Sequence, residues 1–286
     1  MGSATAAALL KRGEAVTLVT RGGAVADEWK ARGARIAIAD VRDVESLRRV
    51  FKEGTRLLLV NPPADPATDT DAEERRTGSS IVSALDGSGL ERIVVQSTYG
   101  ARPGERIGDL GTLYGLERAV CSRAVRSRSM GAATVLRAAY FMSNWDSALE
   151  TARKDGVVQS LFPADFELAM VAPTDIGEVA ARLLTDPVEP GPLHHVEGPE
   201  RYTPSQVASA FGSALAKHVR LVTVPRSEWK STFESMGFSK PAAESYVGMT
   251  SVTVDEEYVF AGDPERGEIS LQQYVAGLVR TIPVSQ

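Results

Sequence analysis

Residues 15–40 read AVTLVT-RGGAVADEWKARGA-RIAIAD, and this stretch decides the fold class. Ala15 to Thr20 is a β-branched run of strand length. Ala24 to Arg32 has helix-forming composition and is closed by Gly33, and Arg35 to Ala39 is strand again. The same unit repeats outward. Asp43 to Glu53 reads as a helix ended by Gly54, and Arg56 to Val60 (RLLLV) as a strand broken by Asn61-Pro62-Pro63. Glu73 to Leu85 is a helix, Arg92 to Gln96 (RIVVQ) a strand, Leu113 to Arg126 a helix and Ala133 to Arg137 (ATVLR) a strand. On the other side, Ser3 to Arg12 is an Ala/Leu-rich helix stopped by Gly13. Short apolar strands separated by helices are buried on both faces, so the sequence predicts an α/β fold with a doubly wound parallel sheet.

Beyond residue 137 the alternation loosens. Phe141 to Lys154 reads as a helix, Phe166 to Val171 as a strand and Asp175 to Leu184 as a helix entered through Pro173-Thr174. Thr203-Pro204 has the chemistry of an N-cap and first helical residue. Val219 to Val224 is a strand, with helices expected up to Met236, around Ala242 to Val247 and from Leu271 to Leu278. The division expected is residues 1–137 as a dinucleotide-binding domain and 138–286 as a smaller C-terminal α/β lobe with elements returning to the sheet. The acidic stretch Asp65 to Glu74 is read as a solvated loop leading into a helix.

Composition narrows the function. The 286 residues are 43% hydrophobic and 24% charged with a formal net charge of −5, so no basic excess points to nucleic acid or an anionic membrane. The single cysteine, Cys121, rules out an intrachain disulfide and suits a reducing compartment. Its simpler reading is a packed helix residue and its alternative a reactive thiol. His194 and His195 sit in a short apolar strand whose alternation turns them to opposite faces, so no metal site is expected. Nothing has the layout of a signal peptide or an apolar run of membrane-spanning length, and the expected location is the cytoplasm.

Doubly wound nucleotide-binding domains begin strand, Gly-rich turn, helix, whereas this chain opens on the helix. Gly2-Ser3-Ala4-Thr5 leading into Ala6-Ala7-Ala8-Leu9-Leu10 matches the end of that turn, with Gly2 as the final glycine of G-x-x-G-x-x-G, placed where a side chain would obstruct helix–strand packing. The alternative is a glycine that merely precedes a terminal helix. On the first reading the central strand and two glycines are expected upstream of Met1. Two strand edges would then lie unpaired within the sheet, and dinucleotide affinity would be weak.

The ordered set GSATAAALL (residues 2–10), Val19-Thr20-Arg21, Ala39-Asp40-Val41, GLERIVVQST (89–98), TVLRAAYFMSNW (134–145) and Pro173-Thr174-Asp175-Ile176-Gly177 resembles the NmrA-like family, an atypical branch of the short-chain dehydrogenases/reductases. The resemblance covers nearly the whole chain and implies a Rossmann domain binding NAD(P), with a smaller lobe covering a cleft. Gly2, Arg21, Asp40, Asn61, Pro62, Ser97 and Thr98 are then the expected cofactor-binding residues. Arg21 stands where NAD-selective domains carry an acidic residue, and a guanidinium there suits the 2′-phosphate of NADP over NAD. Its alternative is a solvated loop arginine. Asp40 matches the position that meets the adenine amino group, or else caps the following loop. Asn61 and Pro62 end a strand at the ligand-binding edge, or simply break it.

In classical members a serine after the RIVVQ strand polarises the carbonyl and a Tyr-x-x-x-Lys supplies the proton. Ser97, Tyr114 and Arg118 are the residues matching these catalytic roles. Arginine in place of lysine keeps the charge but cannot exchange a proton near neutrality, and Tyr114 packed on its helix is the competing reading. Ala138 stands where the family has proline. Tyr140, Phe141, Asn144 and Trp145 are expected to form a pocket for a planar small molecule such as a quinone, although core packing also explains Phe141 and Trp145. Two functions lead, an NAD(P)H-dependent oxidoreductase acting on a small carbonyl or quinone and a non-catalytic NAD(P) sensor; a sugar-nucleotide epimerase is a third, disfavoured by the imperfect Tyr-x-x-x-Lys.

Overall fold

The apolar runs RIVVQ and ATVLR form strands whose β-branched and aliphatic side chains are buried by helices on either face. The computed structural model describes residues 1–127, 130–188, 191–260 and 262–281. Its first half runs α1 (Gly2–Lys11), β1 (Thr17–Thr20), α2 (Ala24–Ala31), β2 (Arg35–Ile38), α3 (Val44–Lys52), β3 (Arg56–Leu59), α4 (Thr70–Ala84), β4 (Arg92–Thr98), α5 (Asp109–Arg126) and β5 (Ala132–Ala138). The second half runs β6 (Tyr140–Phe141), a 3-10 turn (Met142–Trp145), α6 (Ala148–Asp155), β7 (Val157–Ser160), β8 (Leu168–Val171), α7 (Pro173–Thr185), β9 (Leu193–Glu197), β10 (Arg201–Tyr202), α8 (Pro204–Leu215) and β11 (Arg220–Thr223). It closes with α9 (Trp229–Ser235), α10 (Lys240–Asp255), β12 (Glu265–Arg266) and α11 (Leu271–Thr281).

The main sheet is parallel throughout, in the order β12-β9-β5-β4-β3, so the second half of the chain contributes two of its strands. Ile93 and Val95 of β4 face Leu113, Leu116 and Val120 of α5, while Val94 and Leu136 face Ile176, Val179 and Leu183 of α7. Both faces of the sheet are thus covered, as continuous apolar strands require. β1 and β2 form a separate parallel pair, and among the described residues no ladder joins β1 to β3. Helix α1 connects the two sheets through packing. Ala6, Ala7 and Leu10 pack with Trp29, Leu18 and Ile36, while Met1 and Leu9 join the cluster of α7. An Arg56–Glu14 ion pair at 2.8 Å bridges the same gap.

The structure corrects three expectations here. Gly2 is not a close-packing position, because a Cβ there would meet nothing within 4 Å. The close approach is instead at Gly177 on α7, where a Cβ would lie 2.6 Å from the Ala4 carbonyl carbon and 2.8 Å from the Ala4 Cβ. Gly177→Ala is therefore expected to push α1 off α7 and cost about 1–3 kcal/mol, the range for overpacking a tight contact. Thermal melts check this, and an unchanged Tm would contradict the close packing. Second, Phe141 to Lys154 is not one helix. Tyr140 and Phe141 pair in parallel with Met170 and Val171, and this tertiary pairing overrides local helix propensity until Ala148. Third, the acidic stretch is not simply solvated: Asp71 and Glu74 are buried on α4. Strand β7, which pairs with β11, carried no expectation.

Caps behave as their residue types dictate. Asp43 accepts from the Glu45 and Ser46 amides at 3.1 Å, and Thr203 forms a capping box with Gln206. Among the described residues no helix is long and apolar enough to cross a membrane.

Candidate functional site

A cleft of about 940 Å³ opens at the carboxyl ends of β3, β4 and β5, the edge at which open parallel sheets take ligands. Val60, Asn61, Thr98 and Ala139 mark those strand ends on its wall, and Met1, at the N-terminal end of α1, reaches it. Two aromatic groups from different parts of the chain line it. Tyr140 lies edge-on to Phe162 with centroids 5.5 Å apart, and Phe162 stacks on Phe166 at 5.7 Å. Phe233, Phe238 and Tyr246, from α9, the loop after it and α10, form a triangle with centroid separations of 4.9–5.5 Å.

Between these elements lie carboxyl groups. On α4 the buried stripe Asp71, Glu74, Thr77, Gly78, Ile81 and Ala84 follows helical spacing, and its polar end points to the cleft. Glu74 accepts from the Ala64 amide at 3.2 Å and the Thr112 hydroxyl at 2.9 Å. Burial, then the charges of Asp109 and Asp71, push its pKa up to about 7 against those two donors. Asp109, the first residue of α5, is exposed and opens onto the cleft. Desolvation by the cleft walls around it, then Asp71, raises its pKa. Asp71 is the structural anchor: it accepts from the Ser245 hydroxyl and from the Arg106 amide at 3.2 Å. Ser245 in turn accepts from the Gly108 amide at 2.8 Å, which ties α10 to the starts of α4 and α5.

A second polar group flanks the cleft at the ends of β5 and β9. Arg137 pairs with Glu117 of α5 and donates to the Tyr258 hydroxyl at 2.8 Å. That hydroxyl lies 3.2 Å from Nε2 of His195, whose ring stacks on Phe260 with centroids 3.9 Å apart. Burial, then Arg137 and His194, lower the His195 pKa to about 4, so it is neutral at physiological pH. Tyr258 and Tyr99 carry this group to the cleft wall.

The expected site residues divide. Asn61, Thr98, Tyr140, Phe141 and Asn144 line the cleft. Asn61 is held by donating to the Glu74 carbonyl at 3.0 Å and accepting from Thr77 at 2.9 Å. Ser97 is fully buried, and its Oγ has no hydrogen-bond partner among the described residues. Strand alternation turns Gln96 and Thr98 to the cleft and Ser97 to the face shared with Ile93 and Val95. Tyr114 and Arg118 do not line the cleft. Asp109, Leu110 and Leu113 take that face of α5, while Tyr114 is half-buried and Arg118 exposed. Trp145 is buried in the core of the second half, and Pro62 is exposed while Pro63 lines the cleft.

Arg21 and Asp40 are exposed at the ends of β1 and β2, outside this cleft. Arg21 has no ion pair among the described residues and is followed by Gly22 and Gly23 at φ 103° and 91°, a left-handed turn that glycine permits. Asp40 accepts from the Arg42 amide at 2.9 Å. His194 and His195 have separate partners, Glu265 and Tyr258, and burial raises the pKa of the half-buried Cys121 thiol. Asp109, Tyr246 and the Phe162/Phe166 and Phe233/Phe238 pairs carried no expectation as site residues, and Glu74 was expected only in a solvated acidic stretch.

A parallel sheet wound on both faces, with a cleft at its carboxyl edge, places the chain among the Rossmann-fold proteins. It belongs to the NmrA-like family, whose sequence description matches residues 1–267. It is 23% identical over 266 residues to an NAD(P)H azoreductase of Xenophilus azovorans, covering 93% of this chain and 82% of that protein. It is 27% identical over 247 residues to the uncharacterized oxidoreductase YesF of Bacillus subtilis, covering 83% and 75% respectively. Among solved structures it resembles the triphenylmethane reductase of Citrobacter sp. with a TM-score of 0.78 at 17% identity, over 98% of this chain and 96% of that one. The NADPH-dependent quinone oxidoreductase QOR2 of Escherichia coli, complexed with NADPH, gives a TM-score of 0.75 at 19% identity, over 97% and 95%.

Proposed function

We propose that this protein is an NAD(P)H-dependent reductase of flat aromatic acceptors such as quinones or azo compounds. The observation that carries the reading is the cleft itself, where the strand ends that serve dinucleotides in this fold continue into walls built from two aromatic groups. The names of the related reductases support it.

The residues present fit a dinucleotide. Met1, at the N-terminal end of α1, reaches the cleft, Asn61 and Thr98 line the strand ends, and Arg21 has no ion pair among the described residues. The bound cofactor supplies hydride. The chain's own contribution is to hold an acceptor ring against Tyr140 and the Phe162/Phe166 stack and to exclude water with α9 and α10. NADP is the preferred form on this reading, because Arg21 can pair with a 2′-phosphate.

The test follows the loss of NADPH absorbance with a panel of quinones and azo compounds. NADPH is held at millimolar concentration. Turnover is expected, and Arg21→Asp is expected to shift preference from NADPH toward NADH by about tenfold, the scale of one charge-assisted contact. Unchanged preference would remove Arg21 from the 2′-phosphate site. A second reading, a non-catalytic NAD(P) sensor, is favoured by one observation: Tyr114 and Arg118 lie off the cleft. Tight NADPH binding without consumption on any acceptor would select it.

A further inference from the structure

Reduction of a quinone or an azo bond needs a proton as well as a hydride, and Tyr114 lies off the cleft that would hold either acceptor. The cleft carries Tyr99, Tyr140, Tyr246 and Tyr258 on its walls. Burial holds the first three above the ordinary phenol range, which makes them poor donors near neutrality. The Tyr99 hydroxyl is also enclosed with no hydrogen-bond partner among the described residues. Tyr258 is placed differently. Its hydroxyl accepts from Nη1 of Arg137 at 2.8 Å and lies 3.2 Å from Nε2 of His195. Arg137 is itself fixed by Glu117 of α5, and the pairing of Arg137 with His195 sets both partners side by side on β5 and β9. The Tyr258 ring packs against Tyr99 and Phe260, with centroids 5.2 and 5.5 Å away.

We infer that Tyr258 is the proton donor of the cleft, with Arg137 and His195 as its positioning residues. The inference rests on the reductase reading of the same cleft. A guanidinium can only donate, so Arg137 takes up one lone pair of the phenol oxygen. The His195 ring is neutral at physiological pH, and with its proton on Nε2 it donates to the other lone pair. The hydroxyl proton is then left to turn toward a ligand. Once hydride from the bound cofactor has joined one end of a quinone system or azo bond, the displaced π pair rests on the far oxygen or nitrogen. That atom bonds the Tyr258 proton, and the O–H electron pair stays on the phenol oxygen. The phenolate so formed keeps the Arg137 bond, which is stronger to a charged oxygen. It regains a proton from Nε2 of His195 as Nδ1 of that half-buried ring takes one from water. One hydride and one proton enter the acceptor, and solvent replaces the proton.

The first arm of the experiment uses no cofactor. Naphthoquinone labelled with carbon-13 at its carbonyls is bound to the protein, and its carbonyl stretch is read by infrared difference spectroscopy. In the wild-type protein one carbonyl band is expected at lower wavenumber than in Tyr258→Phe, because a donated hydrogen bond weakens the C=O bond. Tyr258→Phe keeps the ring contacts with Tyr99 and Phe260, and circular dichroism confirms that it is folded. Tyr258→3-fluorotyrosine keeps the hydroxyl and strengthens its donation, so its band should lie lower still. The second arm follows NADPH consumption, where kcat for the quinone should fall about a hundredfold in Tyr258→Phe with KM little changed. Identical carbonyl bands in the wild-type protein and Tyr258→Phe overturn the inference whatever happens to kcat. Loss of turnover in Tyr114→Phe but not in Tyr258→Phe overturns it as well. The reductase reading fails separately: a displaced band without NADPH consumption on any acceptor removes that reading while the Tyr258 contact stands. NADPH consumption with identical bands removes this inference alone.

Discussion

Arg137→Met is expected to lower the unfolding free energy by about 3–5 kcal/mol, the cost of stranding one member of a buried ion pair. The Arg137 and Glu117 side chains are 15% and 5% exposed, so the carboxylate left behind would have little water to turn to. Tyr258 would lose its 2.8 Å donor in the same step, loosening the group formed with His195 and Phe260 beside the cleft. The control is the double variant Arg137→Met/Glu117→Met. Removing both charges leaves no buried ion, so most of the loss should return, and urea melts of the four proteins give the coupling energy. A single variant as stable as wild type, or a double variant worse than the sum of the singles, would contradict this account of the pair.

The second large effect depends on pH. The Glu74 pKa is raised from an ordinary 4.5 to about 7, so the folded protein holds a proton that the unfolded chain releases between those values. This group's stabilising contribution is complete below pH 4.5 and is lost as pH rises through about 7. Above that the penalty is about 3 kcal/mol. Gln in its place keeps an acceptor for the Ala64 amide, meets the Thr112 hydroxyl with an amide donor in place of an acceptor, and does not titrate. Glu74→Gln should therefore be more stable than wild type at pH 8, by up to about 3 kcal/mol. The two should converge at pH 4. Denaturant melts across that range check it, and a difference that does not change with pH would show that Glu74 is not held near its neutral form.

The sheet was legible in the sequence because its strands are continuous apolar runs bounded by glycine and proline. RLLLV, RIVVQ and ATVLR announce burial on two faces without help from distant residues. The Tyr140–Trp145 segment was not, because Tyr140 and Phe141 form a strand only through Met170 and Val171, some thirty residues away. The site was half legible. Strand ends pointed to Asn61 and Thr98, and the aromatic run pointed to Tyr140 and Phe141. The i, i+4 spacing of Tyr114 and Arg118 gave a shared helical face but could not say which face meets the cleft, and Asp109 and Leu113 occupy it.

Glu74 and Asp71 were misplaced by composition, since an acidic stretch is ordinarily solvated. The signal was available: Ile81, Thr77/Gly78, Glu74 and Asp71 continue one helical stripe from the apolar face of α4 back to its N-terminus. Phe233, Phe238 and Tyr246 come from α9, the loop after it and α10, and α10 is tied to α4 by the Ser245–Asp71 contact, which no local pattern foretells.

The central claim is that acceptor and cofactor meet in this cleft. The direct measurement is oxidation of NADPH, deuterated at one face or the other of its nicotinamide C4, by a flat acceptor, with the mass of the NADP formed recorded. The account predicts that deuterium is lost from one face only and kept when it sits on the other, with the rate lowered by Tyr140→Ala. Full NADPH occupancy with no NADP formed on any acceptor, or loss from both faces alike, would contradict it.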